Sequence, residues 1–222
     1  MSTDEISNRR CTWLLKQRGF RYWRERDIGQ VLPLLATNPD FLVETPALVR
    51  FFLELKSLEQ DTLLDRIDPT VRTFSIDPMS LQKRANRLVR DAANQLLPYA
   101  GNGLPMVIAL DNYRQKGISL DEHTLGGLFG ELQVQIRMDP ITGRSIDECW
   151  VRADDGSPLA DGRNRHVSAV AALIPVERFD TFEKEDDFSV ERKMKVRILY
   201  NPDAAVPVPR YVFNDPEDEH VN

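Results

Sequence analysis

One apolar stretch constrains the fold of this chain more than any other feature. Residues 38–59 read NPDFLVETPALVRFFLELKSLE. Phe41 to Val43 and Arg50 to Lys56 have the composition of β-strands, and Thr45 to Ala47 between them is typical of a turn. So short a connection predicts an antiparallel hairpin. The second strand is strongly apolar and nevertheless carries two charged residues.

The hairpin predicts that two carboxylates face each other. Side chains alternate along a strand, so Glu54 and Lys56 share one face, and Leu55 lies on the other. With a turn centred near Ala47, Asp40 lies opposite Glu54, and their Cβ atoms are about 4.5–5.5 Å apart. Carboxylates this close repel each other unless a cation lies between them, and hard oxygen ligands suit Mg²⁺ or Mn²⁺. The alternative is an ordinary edge strand on which Glu54 and Lys56 form a solvated pair.

The rest of the chain alternates between helical and strand patterns. The spacing of apolar residues predicts helices at 4–18, 58–66, 80–97 and Leu120 to Val134. Further strands are predicted at Phe20 to Trp23, Leu104 to Leu110, Val167 to Pro175 and Met194 to Tyr200. Loops are predicted at 24–38 with a helical turn around Gln30 to Leu35, at 139–165 with a hairpin or loop, at 177–192, and in an extended tail after Pro202. This order predicts a mixed α/β domain.

Length and composition narrow the class of protein. A chain of 222 residues that is 41% hydrophobic suits one folded domain and is not fully disordered. Its longest apolar stretch, Val167 to Val176, is about half of what a bilayer crossing needs. The N-terminus is polar and lacks a signal-peptide core, and two cysteines are too few for a disulfide framework or a thiolate metal site. We therefore expect a cytoplasmic protein with no membrane partner.

Charge is unevenly distributed along the chain. The net charge of −6 argues against a general nucleic-acid coat protein, because contacts with phosphates need cations. Two segments, residues 1–30 and 81–97, are nevertheless rich in lysine and arginine, whereas the C-terminal stretch is acidic. Each basic segment is either a solvated helix face or part of a basic rim around a site that handles phosphates. Both interpretations stay open at this point.

Pro39-Asp40, followed after thirteen intervening residues by Glu54-Leu55-Lys56, resembles the motif of the PD-(D/E)xK phosphodiesterase superfamily, the restriction-endonuclease-like nucleases. The predicted order of elements also resembles that family's αβββαβ core, a mixed central β-sheet flanked by helices. The resemblance covers residues 4–112 and implies one nuclease-like domain over 1–222. Residues 113–213 would then be a C-terminal elaboration with additional strands, and 214–222 an acidic tail.

The resemblance also implies a role for each site residue. Asp40 and Glu54 would bind the divalent ion, with the Leu55 carbonyl as a third oxygen ligand. The ion would act as a Lewis acid on the phosphate. Lys56 would orient or activate the attacking water and offset the charge of the transition state. Glu5 would be an outer ligand that reaches in from the first helix; the alternative is a helix-start acid that favours the helix dipole.

Residues 95–99, QLLPY, resemble the QxxxY element of the helicase-associated exonuclease branch of the superfamily. In that branch the Gln and Tyr help to hold the site and the substrate strand, which implies such roles for Gln95 and Tyr99. Pro98 departs from the usual pattern. On the same predicted helix Lys83, Arg87 and Arg90 share a face and could contact phosphate, whereas Arg84 lies further round.

These observations predict a metal-dependent nuclease that hydrolyses phosphodiester bonds in DNA, with Mg²⁺ or Mn²⁺ as cofactor. Its partner is nucleic acid, and a homodimer or a partner protein is compatible with the sequence. The first alternative is a catalytically weak or inactive binding or scaffold module with the nuclease fold. The second is a small-molecule- or protein-binding α/β domain in which the hairpin match is a coincidence; there Glu54 would pair with an arginine and no metal would bind. Endonuclease and exonuclease activity are not distinguished.

Overall fold

A mixed β-sheet forms the centre of the protein in the computed structural model. The structure describes residues 3–33, 39–58, 78–111, 120–130, 132–138, 145–152, 156–175 and 194–221. The described helices are α1 (Thr3–Gln17), α2 (Pro78–Leu96) and α3 (Glu122–Gly126). The described strands are β1 (Arg21–Arg24), β2 (Phe41–Glu44), β3 (Arg50–Ser57), β4 (Met106–Asp111), β5 (Leu132–Met138), β6 (Ser145–Arg152), β7 (Ala169–Pro175), β8 (Met194–Tyr200) and β9 (Glu219–Val221).

Seven of these strands form one sheet in the order β1-β2-β3-β4-β7-β8-β9. The strands β1, β2 and β3 are antiparallel, and β4 lies parallel to β3 on one side and to β7 on the other. The strand β8 is antiparallel to β7, and β9 is parallel to β8. The strands β5 and β6 form a separate antiparallel ribbon. The predicted mixed α/β fold, with a mixed sheet flanked by helices, is therefore confirmed.

The two faces of the sheet are covered by different helices. All six residues of β4 are buried, as expected for a parallel strand in the middle of a sheet. Ile108 and Leu110 pack in the same core cluster as Ala85 and Val89 of α2. The alternate residues, such as Val107, pack in a second cluster with three residues of α1, Cys11, Leu14 and Leu15. Residues of one strand that differ by one position therefore face different helices.

Most predicted elements lie within a few residues of their observed positions, but the helix predicted from Leu120 to Val134 is wrong. The structure has only the short α3, a 3₁₀ turn at Gly127–Phe129, and then β5. Gly130 adopts φ +101°, a conformation that a helix does not contain. A 3₁₀ turn lies at Glu25–Gln30, and the last two residues of the turn expected around Gln30 to Leu35 lie outside the described residues. Except for Leu58, the helix predicted at 58–66 lies outside the described residues, as does the linker at 177–192.

The last residues of the acidic C-terminal stretch, Glu219–Val221, are a strand of the sheet. The strand β9 pairs with β8, and its Glu219 forms ion pairs with Lys195 and Arg197. Asp218, just before β9, accepts two hydrogen bonds from the Arg18 guanidinium at 2.6 and 2.7 Å. These bonds join the segment before β9 to Arg18, directly after α1. None of the described helices is long and apolar enough to cross a membrane.

Candidate active site

The hairpin register brings Asp40 and Glu54 together, as the sequence predicted. The last paired residues are Phe41 and Leu53, so the next position along the antiparallel pair places Asp40 opposite Glu54. The Asp40 backbone N–H donates to Glu54 Oε2 at 3.3 Å. Asp40 is half-buried, whereas only 4% of Glu54 is exposed. The two carboxylates therefore lie side by side at the end of the hairpin.

The Asp40 side chain continues the β2–β3 pairing beyond the end of β2. Its Oδ2 accepts a hydrogen bond from the Leu55 backbone N–H at 2.8 Å. This bond fixes the orientation of the carboxylate, because Leu55 lies in a strand that is paired with β4 on its other edge. The Leu55 side chain itself is buried on the α1 face of the sheet.

The backbone alternation of β3 also places the Leu55 carbonyl. Phe52 and Leu58 donate their N–H groups toward β4, to Pro105 O and Asp111 O. The N–H and C=O groups of successive residues point to opposite edges of a strand. Those of Leu55, an odd number of positions from Phe52 and Leu58, therefore point toward β2. The Leu55 carbonyl consequently lies on the same edge as the Asp40 carboxylate, which is where its predicted role as a ligand requires it.

Lys56 lies between the carboxylates and α2. Its Nζ donates to Glu54 Oε1 at 2.8 Å, and 19% of its side chain is exposed. The same Nζ donates to Gln95 Oε1. Gln95 is an exposed residue in the last turns of α2, which packs on this face of β3. The structure therefore brings together Asp40, Glu54, Lys56 and Gln95, and among the described residues Glu54 pairs with a lysine and not with an arginine.

The electrostatics of Glu54 favour a bound cation. Burial raises the pKa of Glu54, the neighbouring Asp40 carboxylate raises it further, and the contacts with Lys56 oppose both effects. A carboxyl group whose pKa is raised in this way is stabilised in its charged form by an additional positive charge. Lys56 supplies part of that charge, and a divalent ion would supply more.

The donor set fits Mg²⁺ or Mn²⁺ better than a metal that needs three or more protein side chains as ligands. Among the described residues, no group of three or more His, Cys, Asp or Glu side chains is placed to hold a metal. The site offers two carboxylates and a backbone carbonyl. Mg²⁺ keeps several waters and commonly binds through one or two carboxylates together with substrate phosphates. The available oxygens are therefore consistent with that type of ion.

Two predicted residues occupy other surroundings. Glu5 lies on α1, across the sheet from Lys56, and its carboxylate is 3.3 Å from Arg9 Nη2 on the helix surface. Its role as an outer ligand stays a prediction. Tyr99 is only 1% exposed, and its ring packs against Phe52 with the centroids 4.9 Å apart. This packing makes Tyr99 a core residue that supports β3, contrary to the prediction that it contacts nucleic acid.

The two basic segments differ in how their cations are paired. In residues 1–30, most of the cations form ion pairs with carboxylates: Arg9, Arg10, Arg18, Arg21 and Arg26. On α2, by contrast, Lys83 and Arg87 are exposed and have no partner among the described residues, and Arg90 donates to the neutral Gly156 carbonyl at 2.7 Å. The first segment therefore has mainly structural contacts, and the second presents positive charge to solvent.

Sequence reasoning missed a polar cluster directly behind the site. Arg10 Nε donates to Asp111 Oδ1 at 3.1 Å, and Asp111 is completely buried. Nearby, the Ser7 and Ser57 hydroxyls are 3.1 Å apart. Asp111 is opposite Ser57 in the β3–β4 register. A charged residue directly after the apolar run of β4 was the only signal in the sequence.

Comparison with known proteins gave no match to this chain: no family model fits it, and no curated protein or solved structure matches it. The residues of the site and their geometry are therefore what indicate a function.

Proposed function

We propose that this chain is a divalent-metal-dependent phosphodiesterase that hydrolyses DNA, with a restriction-endonuclease-like core. The observation that carries the proposal is the convergence of Asp40, Glu54, Lys56 and Gln95 at the end of the β2–β3 hairpin. The order α1, β1, β2, β3, α2, β4 agrees with the αβββαβ core of that superfamily. The side-chain convergence and the order of elements are both what the motif Pro39-Asp40 and Glu54-Leu55-Lys56 predicts for that superfamily.

Each side chain has a role that follows from its contacts. Asp40, Glu54 and the Leu55 carbonyl would hold the ion, whose chemical contribution is Lewis-acid stabilisation of the charge that develops on the phosphate. The Lys56 ammonium is held at the same place by two acceptors, so it can orient a water and offset negative charge in the transition state. Gln95 accepts from Lys56 and is therefore a positioning residue.

A salt bridge that only stabilises the fold would not need this arrangement. Glu54 and Lys56 are both largely removed from solvent, and the same Lys56 also contacts Gln95 of another element. A buried pair contributes little net stability compared with apolar residues of the same volume. Its presence inside an apolar strand is therefore better explained by chemistry than by stability.

The proposal is tested by titrating Mn²⁺ calorimetrically into the wild type and into Asp40→Ala. Each protein is then assayed for cleavage of labelled single- and double-stranded DNA. We expect Mn²⁺ binding by the wild type, its loss in Asp40→Ala, and cleavage that also requires Lys56. The exposed Lys16, on α1, provides a matched control, because Lys16→Ala should retain both metal binding and cleavage.

The other results have definite meanings. Metal binding without cleavage of any DNA would contradict the enzymatic proposal and favour the binding or scaffold module. An absence of Mn²⁺ binding would mean that the resemblance of the hairpin to the nuclease motif is accidental.

A further inference from the structure

A tightly held loop lies against α2 beside its basic residues. Residues 156–166 connect the β5–β6 ribbon to β7, and four of them adopt left-handed backbone conformations: Gly156, Asp161, Gly162 and Asn164, with φ of 80°, 51°, 70° and 48°. Two bonds anchor the loop to the segment after α3. Leu159 N donates to Leu128 O at 2.9 Å, and Ser157 Oγ donates to Gly127 O at 3.1 Å. Leu159 and Ser157 are fully buried.

Two further contacts join this loop directly to α2. His166 Nε2 lies 2.8 Å from Ala93 O, and Arg90 Nη2 donates to Gly156 O at 2.7 Å. Arg163 Nη1 donates to the next carbonyl along the loop, Ser157 O, at 3.4 Å. The guanidinium groups of Arg90 and Arg163 are thereby brought to carbonyls of consecutive residues. Both arginines are exposed on the surface.

Three cations of α2 beside this loop have no carboxylate partner among the described residues. A carbonyl satisfies the N–H donors of Arg90 but does not neutralise its charge, and Lys83 and Arg87 have no partner in the described part of the chain. Arg165 is left out of the surface, because it bonds Asp203 O and lies beside an acidic side chain. Guanidinium groups that converge on a loop held by hydrogen bonds are well suited to bind phosphate oxygens.

We infer that Lys83, Arg87, Arg90 and Arg163 form an anchoring surface for the DNA backbone beyond the reacting phosphodiester. The inference rests on the proposed function and deepens it, because it assigns the residues that hold the DNA away from the reacting bond. The DNA strand reacts beside Lys56 and Gln95. From there it follows the exposed side of α2 toward the loop.

The geometry of α2 sets the length of DNA that this surface needs. Lys83 precedes Gln95 by twelve residues, which is about 18 Å along a helix that rises about 1.5 Å per residue. One strand of B-form DNA advances about 3.4 Å per nucleotide, so this distance corresponds to about five nucleotides. A tetranucleotide with B-form spacing covers only about 14 Å of this distance, so it makes fewer of these contacts than a 20-mer.

The test measures binding of fluorescein-labelled DNA by polarisation, with EDTA present so that no cleavage occurs. The wild type, Arg90→Ala and Arg163→Ala are each titrated with 20-nucleotide single strands, 20-base-pair duplexes and a tetranucleotide over a range of salt concentrations. Lys16→Ala, on the other face of the sheet, is the matched control for the loss of one charge.

We expect each arginine variant to bind at least one of the 20-mers severalfold more weakly than the wild type. The slope of log K against log salt should fall by about 1 for each lost phosphate contact. Tetranucleotide binding should be weak and unchanged in the variants, and Lys16→Ala should behave like the wild type. The comparison of single strands with duplexes identifies which form of DNA the surface binds.

Unchanged 20-mer binding in both arginine variants overturns the inference, and so does a tetranucleotide that binds as tightly as a 20-mer. No DNA binding by the wild type would overturn it as well. Cleavage that depends on Lys56 but not on the two arginines would refute this surface and leave the proposed function intact. DNA binding that depends on the arginines without Lys56-dependent cleavage would refute the proposed function alone.

Discussion

The Leu55 backbone N–H donates to the Asp40 carboxylate at 2.8 Å, at the position where a further β2 residue would otherwise pair with β3. A side chain thus replaces backbone at the end of the hairpin. This replacement orients Asp40 beside Glu54. The candidate active site is therefore built on paired strands of the sheet, which hold functional side chains more precisely than loops do.

The proximity of two carboxylates should reduce the stability of the metal-free protein. Burial and the Asp40 charge raise the pKa of Glu54. A carboxyl group whose pKa is raised by folding stabilises the folded state below its ordinary pKa, and this contribution is lost as the pH rises through the raised value. Asp40→Asn removes one charge, so in EDTA at pH 7.5 we expect its Tm to rise by about 2–4 °C, equivalent to about 1 kcal/mol.

Addition of Mn²⁺ should reverse that order, because an ion that binds only the folded wild type stabilises it by mass action. The wild type should gain Tm with Mn²⁺, and more so at pH 8 than at pH 5, since protonation of Glu54 competes with the metal. The measurement is thermal unfolding at both pH values with EDTA or Mn²⁺. A lower Tm for Asp40→Asn than for the wild type in EDTA at pH 7.5 would contradict the account.

Gln95 should act through Lys56. Gln95→Ala removes an acceptor of the Lys56 ammonium, so we expect cleavage to slow by about tenfold while Mn²⁺ affinity stays unchanged. In a double-mutant cycle, adding Gln95→Ala to Lys56→Ala should cause no further loss. Asn94→Ala is a matched control, since Asn94 is an exposed neighbour on the same helix. Additive losses in the cycle would show that the two residues act independently.

The buried pair behind the site should be important for stability. Asp111→Ala leaves the Arg10 guanidinium buried without its carboxylate, and such a loss typically costs about 3–5 kcal/mol. The double variant Arg10→Met/Asp111→Leu should recover most of that cost, because it removes both charges together. Arg9→Ala, which breaks an exposed pair with Glu5, should cost less than about 1 kcal/mol. Urea unfolding of the three variants provides the comparison, and equal costs for Asp111→Ala and Arg9→Ala would be the contrary result.

The C-terminal strand should depend on Asp218. Its carboxylate is completely buried, accepts both Arg18 bonds and also accepts the Val196 N–H at 2.8 Å. Asp218→Ala should therefore increase hydrogen exchange in β8 and β9, with little change in β2 and β3. Lys195→Ala removes a partly exposed partner of Glu219 and serves as the milder control. If β8 and β9 exchange as slowly in Asp218→Ala as in the wild type, β9 does not need this contact.

Local patterns were enough to predict the hairpin and its register. Alternating side chains, a short turn at Thr45 to Ala47 and the motif residues placed Asp40 opposite Glu54, and the β2–β3 pairing agrees. The periodicity of α2 likewise placed Gln95 on the helix, although its contact with Lys56 depends on how α2 packs against β3.

Long-range contacts were not predictable in this way. Arg10 and Asp111 are separated by 101 positions and Arg18 and Asp218 by 200, so no periodicity links them. The strand β9 has only three residues and lies in an acidic segment, so its sequence resembles a tail. Only the contact between Asp218 and Arg18 in the folded protein shows otherwise. Tyr99 was misassigned because a motif position does not reveal whether the ring is buried.

The most direct test of the account compares DNA cleavage by the wild type with cleavage by Lys56→Ala, in the presence of Mn²⁺. Lys56 touches Glu54 and Gln95, so its loss should leave Mn²⁺ binding in place but lower the cleavage rate by at least about 10²–10³-fold. Lys16→Ala, purified in parallel, should cleave at the wild-type rate. If Lys56→Ala cleaves DNA as fast as the wild type, the site formed by Asp40, Glu54 and Lys56 is not the catalytic centre.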